Sequence, residues 1–195
     1  MLSRLTLVGT LVLGFSATIL AQQPSSPEAY TDEDAYRVYD ALLPQDSSAS
    51  TLVIDAETFA RLSDAKSYSW GPEDCIGASV AADFKDAISD YNRLNRKKWL
   101  LQRKFSIQRP YEILDSATRE VLFKDDGWKA FYQRFPNSGG TFEMSAVGFN
   151  KDKTRAVVYF GHTCGNLCGA WSFELLKKVD GQWQSVPGVT CSTVS

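Results

Sequence analysis

The chain is poor in the residues that most catalytic chemistry needs. It has one histidine, four cysteines and two methionines in 195 residues. It has no Cys-x-x-Cys pair, no Gly-x-Ser-x-Gly nucleophile turn, no phosphate-binding loop and no dinucleotide-binding glycine fingerprint. A single histidine removes every metal site built on two imidazoles and leaves a serine triad only His162 as its base. Charge of one sign is lacking too. There are 21 Lys and Arg against 23 Asp and Glu, a net charge of −2, which leaves no electrostatic footprint for nucleic acid. No internal repeat or long linker divides the chain.

What is present begins with an address. Arg4 precedes an uncharged run, Leu5 to Leu20, and Ala21 stands before the polar segment QQPSSPEAY. A positive start, an apolar stretch and a small residue ahead of a polar one are the marks of a secretory signal peptide over residues 1–21. The run is short for a bilayer and diluted by Gly, Thr and Ser. The expectation is therefore an exported chain, periplasmic or secreted, with no stable membrane span after cleavage. Residues 22–30 read as a flexible lead and residues 31–195 as one domain.

Within that domain the periods change once. Ala35, Val38, Tyr39, Leu42 and Leu43 repeat at helical spacing behind Thr31 as N-cap and ahead of Pro44. Leu52-Val53-Ile54 and Tyr111 to Leu114 read as short strands, and Glu57 to Leu62 as a helical turn. Val80, Phe84, Ile88 and Tyr91 predict a helix from Val80 to about Asn95. Trp128, Phe131, Tyr132 and Phe135 form a helical stripe capped by Asp125 or Asp126 and stopped by Pro136. From Thr141 the alternation is two-residue, slipping phase beside Gly148 as a bulge does. Arg155 to Gly161 is apolar on both faces, and Asp180-Gly181 is a hairpin turn before Gln182 to Val186. The predicted fold is α+β, with N-terminal helices packed on a C-terminal four-stranded antiparallel meander.

The chemistry concentrates in Gly161 to Gly169, GHTCGNLCG, which holds the histidine and two of the four cysteines. Cysteines in an exported chain pair by default. Cys164–Cys168 with Cys75–Cys191 comes first among the three pairings that four cysteines allow, and crossed pairings stay open. The rival is a thiol or metal site, in which His162, Cys164 and Cys168 would hold Zn(II) or Cu(I). The paired acids Glu73-Asp74 and Asp125-Asp126 read as caps or solvated surface, leaving an envelope hydrolase with dispersed site residues as a third reading. No cofactor is called for. Seven basic residues and no acid lie between Arg93 and Arg109, opposite a segment, Glu28 to Asp64, with nine acids and two bases. Arg93, Arg96, Lys97, Lys98, Arg103 and Lys104 read as solvated surface facing that acidic segment, or as a patch for an anionic envelope component.

A longer pattern runs through the second half. Trp128-Lys129-Ala130-Phe131-Tyr132 leads to Phe135-Pro136-Asn137-Ser138-Gly139-Gly140. Ser145-Ala146-Val147-Gly148-Phe149-Asn150, Ala156-Val157-Val158-Tyr159 and Cys164 to Gly169 follow. This resembles a group of uncharacterised exported bacterial proteins with the pattern W-x-x-F-Y, S-x-V-G-F-N, A-x-V-Y and C-G-x-L-C-G. The chain departs from it where Ala170-Trp171 stands in place of a further glycine, and where the tail carries Cys191 in place of a tryptophan-containing strand. The resemblance implies export and brings no catalytic residue. The expectation is a binding or structural component of the cell envelope rather than an enzyme, with Tyr159, His162 and Trp171 as its ligand surface.

Overall fold

The helical and alternating periods resolve into six helices on a mixed sheet. The computed structural model describes residues 26–45, 51–60, 71–125, 127–187 and 192–194. The predicted signal peptide and the Cys75–Cys191 pairing lie outside the described residues. In chain order the elements are β1 (Glu28–Ala29), α1 (Glu33–Leu42), β2 (Thr51–Asp55), α2 (Pro72–Cys75), α3 (Ala78–Asp83) and α4 (Lys85–Leu94). Then come β3 (Trp99–Leu100), β4 (Tyr111–Leu114), α5 (Ser116–Lys124) and α6 (Trp128–Arg134). The remainder is β5 (Ser138–Met144), β6 (Gly148–Phe149), β7 (Arg155–Gly165), β8 (Cys168–Val179), β9 (Gln182–Ser185) and β10 (Ser192–Val194). Among the described residues no helix is long and apolar enough to cross a membrane.

The α+β class holds, but the four-stranded meander is too small and the helices are not confined to the N-terminal side. The main sheet has eight strands in the order β10-β8-β7-β5-β2-β4, with β6 on β7 and β9 on β8. β5, β7, β8 and β9 are antiparallel neighbours, as a meander requires. The addition is on the other side, where β2 pairs in parallel with both β5 and β4. Val53 and Ile54 are both fully buried, the mark of a central strand covered on two faces. α5 and α6 lie between β4 and β5 in the chain, so helices alternate with strands through the middle of the sequence.

Local chemistry moves several boundaries. Asp32, not Thr31, caps α1, its carboxylate accepting from the Asp34 N–H at 3.0 Å, and Leu43 is extended ahead of Pro44, as a residue before proline prefers. The helix expected from Val80 is two helices broken at Phe84, whose φ of −107° and ψ of 9° leave the helical region while its ring is buried. Gly127, at φ +50°, takes the cap position of α6 that was assigned to an aspartate. The expected helical turn after Glu57 is extended chain, bridging Glu57 to Leu100 and Phe59 to Ser145. The lead is ordered from Glu28, which pairs in parallel through β1 with β3, and Tyr30 is buried.

The phase slip at Gly148 has a packing cause. A Cβ there would overlap the Ala87 carbonyl and the Tyr91 backbone, so α4 lies directly on the strand. The slipped stretch, Ser145 to Val147, is fully buried, and its backbone groups find partners from three directions. Tyr39 Oη donates to the Ser145 carbonyl at 2.8 Å, the Val147 N–H donates to Tyr30 Oη at 2.9 Å, and Asn95 both donates to the Ala146 carbonyl and accepts from its N–H. Asp180 and Gly181 both have positive φ, the type I′ turn that suits a two-residue hairpin.

The two faces of the sheet carry different cores. On one, α1 covers Leu52, Ile54, Phe142, Met144, Val158 and Leu176. On the other, α3 and α4 cover Val157, Phe173 and Leu175, while α6 covers Val53 and Leu114. Between these two patches a strip of the second face lies outside the cover of α3, α4 and α6.

Candidate functional site

That strip begins where β2 runs out. Residue alternation carries Asp55 onto the same face as Val53, one step past the cover of Phe131 and Phe135. Glu143 occupies the corresponding position on β5, because Ile54 pairs with Phe142. β4 ends alongside at Leu114, paired with Asp55. The carboxyl ends of three parallel strands therefore meet here, the place where open sheets containing parallel strands leave a crevice. Its volume is about 240 Å³, and Asp55, Glu57, Phe59, Lys98, Ser116, Arg119 and Glu143 are among the residues that line it.

Each charge in the crevice has a specific partner. Arg119 Nη1, from the first half of α5, donates to Asp55 Oδ1 at 3.0 Å. Lys98 Nζ and Ser116 Oγ donate to the two oxygens of Glu57 at 2.9 and 2.8 Å. Trp171 Nε1 donates to Glu143 Oε1. Asp115 caps α5 through the Thr118 N–H, fixing the turn that presents Ser116 and Arg119 to the crevice.

The two β2-side carboxyls are pushed in opposite directions. Burial raises Asp55 to about 6, against the pull of Arg119 and with the added repulsion of Glu143. The Lys98 hydrogen bond, outweighing burial and helped by Ser116, lowers Glu57. Burial thus favours the protonated form of one carboxyl, while Lys98 favours the ionised form of its neighbour.

The residues singled out in the sequence are distributed differently. Tyr159 and Trp171 lie on the crevice face, Tyr159 packing on Phe59 with ring centres 4.8 Å apart. His162 points to the other face. Its ring stacks on Phe142 at 4.5 Å, and its Nε2 lies 2.9 Å from the Gly139 carbonyl, which can only accept, so that nitrogen carries the proton. The ligand surface of Tyr159, His162 and Trp171 is therefore split across the sheet. The sulfurs of Cys164 and Cys168 are at bonding distance, with Cα atoms 5.1 Å apart across the β7–β8 connection. That geometry takes up two of the three proposed metal donors, and no group of three or more His, Cys, Asp or Glu suited to a metal ion occurs among the described residues.

Several cations of the basic stretch lie against acids, two of them in the segment Glu28 to Asp64. Lys97 pairs with Glu28 at 2.8 Å, Lys98 with Glu57 at 2.9 Å and Arg93 with Asp90 at 2.6 Å. Arg103 donates to the Tyr111 carbonyl and Lys104 to that of Thr31, and Arg96 is exposed. Sequence reading missed Asp55, Glu57, Lys98, Arg119 and Glu143 as a set. The one local signal was Asp55 closing an otherwise apolar strand.

No protein-family model, curated protein or solved structure matches the chain.

Proposed function

We propose that the chain is an exported binding domain that takes a small polar molecule in the crevice at the ends of β2, β4 and β5. The observation that carries this reading is Asp55: a carboxyl that is 9% exposed, placed at the edge of an open crevice with one cation against it. A buried carboxylate costs stability unless it is fully paired, and perturbed groups lining a crevice are more common at sites of binding or reaction than elsewhere. Export is supported by the opening segment and by the resemblance to exported proteins. The Cys164–Cys168 bridge belongs to this reading as a shape-fixing link in an oxidising compartment.

The test is an amide and side-chain NMR titration with a panel of amino acids, monosaccharides and small hydroxy acids. Shifts confined to the Trp171 indole N–H, the Arg119 Nε–H and the amides of Asp55 to Phe59 support the reading. Shifts spread over the surface, or none with any member of the panel, reject it.

A second reading, an envelope hydrolase, is favoured by one observation. Asp55 and Glu57 are driven apart in acidity, the arrangement that separates a general acid from a base. Hydrolysis of nitrophenyl esters or glycosides, lost in both Asp55→Asn and Glu57→Gln, would support it, and rates unchanged by either substitution exclude it.

A further inference from the structure

The charges around Asp55 are arranged so that one proton decides what the crevice can hold. Facing it are Arg119 from α5, Glu143 from β5 and, further off, Lys98 from the segment before β3. Lys98 is engaged by Glu57, and Glu143 accepts from Trp171. Among the described residues the crevice wall holds two ion pairs, Lys98–Glu57 and Asp55–Arg119, and the members of the second differ in setting. The Asp55 side chain is 12% exposed and that of Arg119 is 42% exposed. The guanidinium has five N–H donors, and the one hydrogen bond to Asp55 uses a single nitrogen. Its plane also rests on the Phe123 ring, with the guanidinium carbon 5.1 Å from the ring centre, so the head group is braced when the carboxylate lets go.

We propose that Arg119 is the carboxylate receptor of the crevice and that Asp55 is its proton-operated switch. With Asp55 ionised, Arg119 is neutralised internally, and an anionic ligand would enter a wall carrying three carboxylates against two cations. With Asp55 protonated, the carboxylates Glu57 and Glu143 balance Lys98 and Arg119, and Arg119 has lost the charged partner of its hydrogen bond. A ligand carboxylate then takes the place of the Asp55 carboxylate, in the two-point geometry that guanidinium favours. Binding therefore takes up a proton from solvent, and neutral pH releases the ligand. Burial, against the pull of Arg119, sets the Asp55 transition at about 6. This inference rests on the crevice being the binding site.

The probe is lactate, ionised at both test values, with methylammonium as the cationic control. Its apparent affinity, read at the Arg119 Nε–H, is expected to be roughly thirtyfold tighter at about pH 5 than at about pH 7.5, the ratio of the protonated Asp55 fractions. Asp55→Asn, which cannot ionise, should bind lactate equally at both values, and Arg119→Gln at neither. The unsubstituted protein supplies a variant-free check, because calorimetry in two buffers of different ionisation enthalpy should show close to one proton taken up per lactate at about pH 7.5. Lactate binding that is flat with pH overturns the switch, as does methylammonium binding at neutral pH that Asp55→Asn removes. Absence of lactate binding at about pH 5 also overturns it, while the wider panel separately decides whether the crevice binds anything at all.

Discussion

Trp171 lies across Gly161 on the neighbouring strand and gives its indole N–H to Glu143 one strand further on. The three are in register, Glu143 opposite Gly161 and Gly161 opposite Trp171. The missing side chain in the middle makes the reach possible, since a Cβ on Gly161 would overlap the indole and press on Glu143. Gly161→Ala should therefore displace the ring and free Glu143. We expect a loss of about 1–3 kcal/mol and an upfield return of the Trp171 indole proton towards its free position. Unchanged stability with an unchanged indole resonance would contradict the packing.

Asp55 sets a pH dependence of stability with a defined sign. Its folded-state value, about 6, lies above the ordinary carboxyl value of 3.8. The folded chain then binds more protons than the unfolded chain between those two values, so this group's contribution to stability falls as pH rises through that window. Asp55→Asn removes the fall. The variant should be more stable than the parent at about pH 7.5, by about 1–3 kcal/mol, and equal or slightly weaker at about pH 4. Urea melts at the two values measure both, and a parent whose Asp55 contribution rises with pH would refute the assignment.

Asn95 is 1% exposed and holds α4 to the slipped stretch with both ends of its amide. Replacing it with alanine strands the Ala146 N–H inside the protein, while the Ala146 carbonyl keeps the Ser145 hydroxyl as donor. A cost of about 1–3 kcal/mol follows from the buried donor left without a partner. It should appear as a lower urea midpoint with an unchanged slope.

The Cys164–Cys168 link closes a loop of only a few residues, so its removal is mild. The loop-closure relation gives about 2 kcal/mol for so short a ring. The double variant Cys164→Ser, Cys168→Ser should fold and keep its crevice resonances. In the parent, peptides covering Cys164 and Cys168 should resist alkylation until reduced. Full alkylation of both thiols in the native protein as isolated would restore the metal reading.

Local patterns foretold those parts of the structure that local forces decide. The stripe Trp128-Phe131-Tyr132-Phe135 became α6, the phase slip at Gly148 marked the kink where α4 touches the strand, and Asp180-Gly181 made its hairpin. α5 went unseen because its apolar residues, Ala117, Val121, Leu122 and Phe123, fall on no common buried face, and none of its residues is fully buried. The parallel arm of the sheet was seen as two short apolar runs with no indication that they pair, because pairing across so many residues is written in tertiary fit and not in period. The crevice shares that fate. Asp55, Lys98, Arg119 and Glu143 meet only because β2 inserts between β4 and β5. The chain's one histidine, conspicuous in the sequence, sits on the opposite face, tied to a backbone carbonyl.

That insertion has a cost during synthesis. The chain makes β2 at residue 51, its first sheet neighbour at 111 and its second at 138, whereas β7 meets β8 across a two-residue connection. A nascent chain carries a bare, fully apolar ribbon, Leu52 to Ile54, with both hydrogen-bonding edges open until β4 is made and one edge open until β5 is made. A chain cut before residue 138 should precipitate instead of folding.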